Sequence, residues 1–94
     1  MMRIIELEEL TEQDIDAALA EIKKRAMEKI QTSNSGKYPF TSIPEAAGKL
    51  TEEYHEVLVE AHLKDKDKFL SEIKDVAFIC IRALSSNKVK KIDQ

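Results

Sequence analysis

Apolar residues recur along this chain at the spacing of helices. Ile15, Leu19, Ile22, Ala26 and Ile30 follow one another at intervals of three or four, the stripe of an amphipathic α-helix. Leu10-Thr11-Glu12-Gln13-Asp14-Ile15 opens it: Thr11 can cap, Asp14 supplies the capping-box acid, and Leu10 and Ile15 are spaced as a hydrophobic staple. This predicts a first helix over about 12–31, preceded by residues 1–10 as a short extra helix or an arm over a neighbour. Ala47, Leu50, Tyr54, Val57, Leu58 and Ala61 form a second stripe. Ser42 caps it, and Pro44 sits in the first turn, where a missing N–H costs nothing. The second helix is expected over about 43–63. Lys64-Asp65-Lys66-Asp67 breaks the pattern, with Asp65 or Asp67 placed to cap a third helix over about 67–85. Its stripe is Phe69, Leu70, Ile73, Val76, Ala77, Cys80, Ile81 and Leu84.

Between the first two helices, residues 32–42 lose the period, and small polar residues with Gly36 and Pro39 make a loop. Tyr38 and Phe40 stand in it, either as a recognition surface or as plugs for the end of a helical bundle. A basic, loosely ordered tail is expected over 88–94. Val76 to Ile81 is apolar at six consecutive positions, so no side of that segment suits water. Three short helices in one chain can hardly cover a helix that is apolar all round. An oligomer packed around the third helix is therefore expected, with Cys80 as a small buried core thiol.

Composition narrows the class. Ninety-four residues make one domain with a small core. Charged residues at 35%, aromatics at 5%, and only two Gly and two Pro favour helices over strands. The expected fold is all-α: an antiparallel helical hairpin plus an N-terminal helix, closing into a four-helix-type bundle as a homodimer or homotetramer. A net charge of −3 argues against a nucleic-acid partner, which requires a basic surface. The single cysteine excludes an intrachain disulfide. No run approaches the ~18 apolar residues of a membrane span and no signal-like segment opens the chain, so a cytoplasmic protein with no membrane partner is expected.

The charged positions carry the chemistry. At about 100° per residue, Lys49, Glu53, Glu56 and Glu60 share one face of the second helix, with Glu52 at its edge. Glu72 and Asp75 share a face of the third. Asp75 directly precedes the apolar run, where an unpaired carboxylate is costly to cover. The turn near Leu63 falls midway between Glu56 and Glu72, so an antiparallel hairpin sets the two acid pairs at the same height. Four converging carboxylates suit Mg²⁺ or Mn²⁺, and no Cys/His cluster is present to favour zinc. Glu52-x-x-His55 is half of a di-iron carboxylate motif, but Val59 stands three residues before His62 where the other half needs an acid.

The compound pattern Glu52-Glu53-x-x-Glu56, fifteen residues, Glu72-x-x-Asp75 resembles the signature of the MazG-like all-α nucleoside triphosphate pyrophosphohydrolases, relatives of dimeric dUTPases and phosphoribosyl-ATP pyrophosphohydrolase. Pro39-Phe40-Thr41-Ser42-x-x-Glu45-Ala46, Lys49-Leu50-x-Glu52-Glu53 and Ala77-x-x-x-Ile81-Arg82-Ala83-Leu84 extend the resemblance over residues 38–84. It implies Glu53, Glu56, Glu72 and Asp75 as Mg²⁺ ligands. It further implies Glu52 as an outer acid or a base for the attacking water, and Lys49 and Arg82 as phosphate contacts. The reaction implied is hydrolysis between the α- and β-phosphates, giving a nucleoside monophosphate and pyrophosphate. Tyr38 and Phe40 are the candidates for contacting the base. Helix three lacks the His that follows the Asp in phosphoribosyl-ATP pyrophosphohydrolases, which counts against that substrate. The competing reading is a non-catalytic helical oligomer that keeps the fold, with a regulatory metal or nucleotide site or a protein-interaction role.

Overall fold

Local capping sets the helix boundaries. In the computed structural model, which describes residues 6–34 and 36–88, three helices follow in order. They are α1 (Glu12–Thr32), α2 (Ile43–Leu63) and α3 (Lys66–Leu84), followed by a 3₁₀ turn at Ser85–Lys88, with no strand among the described residues. Thr11 Oγ1 accepts from the Asp14 N–H at 3.1 Å, and Asp14 Oδ2 accepts from the Thr11 N–H at 2.9 Å. The Thr11 N–H, and the Thr11 hydroxyl donating to the same oxygen at 3.0 Å, hold the Asp14 carboxyl below its ordinary pKa. Ser42 Oγ accepts from the Glu45 N–H at 3.2 Å to start α2. Lys64 ends α2 in the left-handed region at φ 59, and Asp65, accepting from the Lys68 N–H at 3.1 Å, caps α3 at once. Of the two acids in that turn, Asp65 is the cap. A two-residue connection of this kind folds α3 back antiparallel on α2.

α1 packs on α3 and makes no comparable contact with α2. Its contacts come from its second half. Residues 11–20 are exposed throughout, including Ile15 at 50% and Leu19 at 55%, while Ile22 is half-buried and Ala26 buried. Residues 6–10 are irregular and exposed. The remainder of the expected N-terminal arm, residues 1–5, and residues 89–94 of the expected basic tail lie outside the described residues.

The core is small: Ala26, Phe40, Val57, Phe78 and Ile79 are its buried apolar members. The apolar stripes of α2 and α3 are mostly on the outside. Ala47, Leu50, Tyr54, Leu58 and Ala61 of α2 are exposed, as are Leu70, Ile73, Ile81 and Leu84 of α3. Cys80 corrects the sequence reading, being exposed rather than a core thiol. The reason is helical geometry. α3 turns Asp75, Phe78 and Ile79 inward, and at about 100° per residue the next positions, 80 and 81, swing away. Phe40 is 2% exposed and so is a plug; its N–H donates to Ser86 Oγ at 3.0 Å, which ties the loop to the end of α3.

The consequence is an open molecule. Its radius of gyration is 16.0 Å, against about 12 Å for a compact chain of this length. Its accessible surface is 8121 Å², where a compact monomer of this mass exposes about 5,500 Å². No helix among the described residues is long and apolar enough to cross a membrane.

Candidate metal centre

What α2 and α3 turn toward each other is acid. Glu53 and Glu56 from α2 and Glu72 from α3 each offer a carboxylate oxygen, and these oxygens all lie within 4.8 Å of one another. Glu53 is 9% exposed, Glu72 half-buried and Glu56 exposed. Glu53 Oε2 and Glu72 Oε2 are both buried with no hydrogen-bond partner. Buried polar atoms are nearly always satisfied, so two orphaned carboxylate oxygens in one cluster call for a missing partner. The electrostatics agree. Burial, reinforced by Glu56 and Asp75, pushes Glu53 above its ordinary pKa, with Lys49 pulling the other way. Burial, again with Glu56, pushes Glu72 up to about 7. The cluster thus holds more negative charge than its surroundings compensate.

Asp75 lies one turn beyond Glu72 and is 5% exposed, as its place before the apolar run required. Its carboxylate is gripped from α1. Arg25 Nε donates to Oδ1 at 2.7 Å, Arg25 Nη2 donates to Oδ2 at 3.2 Å, and Lys29 Nζ stands 3.7 Å from Oδ2. Of the four acids expected as ligands, the fold brings three together and pairs the fourth with two cations.

A cavity of about 560 Å³ adjoins this arrangement, with Glu45, Glu52, Glu53 and Asp75 as its acids and Lys29, Lys49 and Arg82 as its cations. Lys49 stands 3.9 Å from Glu52 Oε2, and both are largely solvent-accessible. Glu52 lies outside the trio. Arg82 is held in place: its Nε donates to the Tyr38 carbonyl at 2.8 Å and its guanidinium stacks 4.0 Å over the Phe40 ring. The Tyr38 ring is 60% exposed. Glu60, on the same face of α2 as Glu53, is half-buried with Oε2 orphaned, but it lies toward the turn, where it lines a separate cavity with Lys64 and Phe69. His55 and His62 are exposed.

The donor set fits a hard divalent cation: carboxylate oxygens only, two of them unsatisfied, from two rigid helices. The functional residues that sequence reasoning missed are Arg25 and Lys29. Their signal was a pair of cations four residues apart flanking Ala26, the one fully buried position of α1. No protein-family model, curated protein or solved structure matches the chain.

Proposed function

We propose that the chain is a Mg²⁺- or Mn²⁺-dependent nucleotide pyrophosphohydrolase acting between the α- and β-phosphates of a nucleoside triphosphate. The observation that carries this reading is the pair of buried, unpartnered oxygens on Glu53 and Glu72 beside Glu56, at the edge of a cavity that also holds cations. Glu53, Glu56 and Glu72 would hold the ion. When bound, such an ion offsets phosphate charge and lowers the pKa of a coordinated water. Lys49 and Lys29 line the cavity as partners for phosphate oxygens, and Glu52, an exposed carboxylate at its rim 3.9 Å from Lys49, accepts a proton. Arg82 shapes the wall by fixing Phe40 and the Tyr38 backbone, and leaves the exposed Tyr38 ring for the base.

The outward apolar stripes support a homo-oligomer. A groove of about 290 Å³ is lined by Ile43, Ala47 and Leu50 of α2 and by Cys80 and Ala83 of α3. The excess of accessible surface over a compact monomer, more than 2,000 Å², is of the size a permanent subunit interface buries. A second copy laid on this face completes a four-helix arrangement from two hairpins.

Pyrophosphate release from a panel of nucleoside triphosphates with Mg²⁺ tests the enzyme reading, with Glu53→Gln and Glu72→Gln beside wild type. Both variants should lose at least about 100-fold, since loss of a mere supporting contact at a metal site already costs 10–100-fold. The non-catalytic reading draws on the exposed position of Glu52, outside the trio, and predicts stabilisation by Mg²⁺ without pyrophosphate release. An inactive wild type that no divalent ion stabilises would end both metal readings and leave the protein-interaction role.

A further inference from the structure

The pairing of Asp75 is unexpected in a centre built from four acids. We infer that Arg25 stands in the place of a second divalent cation, so that the centre takes one ion per chain, on Glu53, Glu56 and Glu72, with Asp75 withheld from the ligand set. This inference rests on the metal reading proposed above.

The geometry comes first. Arg25 engages both oxygens of Asp75, at 2.7 and 3.2 Å, with the planar fork that guanidinium presents to carboxylate. The Asp75 side chain is only 7% exposed and the Arg25 side chain 30%, so the pair is partly shielded from the water that makes exposed ion pairs weak. Lys29 adds a second positive charge at 3.7 Å. An ion bridging to Asp75 would have to approach a buried face that already carries these two cations, and like charges at such range repel strongly.

The charges divide accordingly. Among the described residues Asp75 has two cations in ion-pair range, whereas Glu53, Glu56 and Glu72 have none in that range. Within the centre the orphaned oxygens divide the same way: they are on Glu53 and Glu72, whereas Asp75 has its partners. Arg25 is suited to a permanent post because guanidinium does not deprotonate in proteins, and Asp75 raises its pKa further. Its other neighbour, Glu28 at 3.6 Å, is exposed and offers weak competition.

The inference also explains why α1 docks where it does. Its cations reach Asp75, and α1 has no comparable contact with α2 to hold it otherwise. Arg25 is therefore a positioning residue. It fixes α1 on α3 and places Lys29 at the cavity wall.

Calorimetric titration of the full chain with Mn²⁺ tests this without any substrate. Wild type should bind one ion per chain. Arg25→Gln should expose Asp75 and admit a second ion, and Arg25→Gln with Asp75→Asn should return to one. Asp75→Asn alone, a near-isosteric change that keeps an oxygen for Arg25, should leave the affinity for the single ion within about threefold, whereas Glu53→Gln should weaken it about 100-fold or more. Circular dichroism confirms folding of each variant; if Arg25→Gln does not fold, Asp75→Asn decides. Two ions on wild type, an unchanged single ion on folded Arg25→Gln, or a tenfold loss in Asp75→Asn would each overturn the inference while leaving the metal reading intact. No ion on wild type would overturn both.

Discussion

The two faces of the α2–α3 hairpin are built on opposite principles. One face carries Glu53, Glu72 and Asp75, the groups most expensive to remove from water, and it is the face that the chain covers with α1 and with the other helix. The other carries Leu50, Tyr54, Leu58, Leu70, Ile73 and Cys80, which gain most from leaving water, and the chain leaves it open. The difference teaches that the single chain spends its burial on acid and leaves an apolar face uncovered, which is the arrangement the proposed metal and oligomer readings both draw on. Phe40 and Ile79 stand between the two faces, lining both the charged cavity and the apolar groove.

Removing that partition should have the largest effect. Phe40→Ala takes away the one fully buried large side chain among the described residues and should cost about 3–5 kcal/mol of stability, read as a shift in the urea midpoint with little change in slope. It also removes the ring on which Arg82 stacks, so ion binding and stability should fall together. A loss below about 1 kcal/mol would mean that Phe40 does not separate the faces. Leu50→Glu attacks the apolar face alone. Leu50 is 40% exposed within one chain, so the folded hairpin should tolerate the change, while each copy in an assembly loses about 1.5–3 kcal/mol of apolar burial and gains an unpaired charge. Light scattering should then report the mass of one chain where wild type reports a multiple. An unaltered mass would remove this face as the interface.

Much of this was legible from residue order. Thr11, Ser42 and the Lys64-Asp65 turn fix where the helices begin and reverse, because capping is a local hydrogen-bond requirement met by residues three apart. The turn in turn fixes the height of Glu56 against Glu72, so three of the four site acids could be placed together. Three features could not be read. The stripe containing Cys80 marks an apolar face, but periodicity does not say whether that face is covered by the same chain or by another copy. Arg25 and Lys29 lie about fifty residues from Asp75, and which side of α3 receives α1 depends on packing that no local pattern encodes. Arg82 serves Tyr38 and Phe40 across a loop, a tertiary contact that its spacing from Asp75 conceals.

The smallest effect, and the one that best separates the faces, is in pH. The acid face carries the raised carboxylates. Burial, then the neighbouring carboxylates, raises Glu53 above its ordinary value and Glu72 to about 7, against about 4.5 in the unfolded chain. The ion-free folded state thus binds protons that the unfolded chain releases, and its stability must fall as pH rises from about 4.5 through about 7. An ion needs those carboxylates deprotonated, so its affinity moves the opposite way, rising up to about tenfold per pH unit for each proton displaced until about pH 7 and levelling above it. Melting curves from about pH 5 to 8 should therefore show the ion-free midpoint declining while the increment on adding Mg²⁺ grows. Glu72→Gln should flatten both trends, and the oligomer mass, set by the apolar face and not by these carboxylates, should stay constant across the same range. An increment independent of pH would mean that the trio does not exchange protons for the ion, and the acid face would then be a buried charge cluster of another kind.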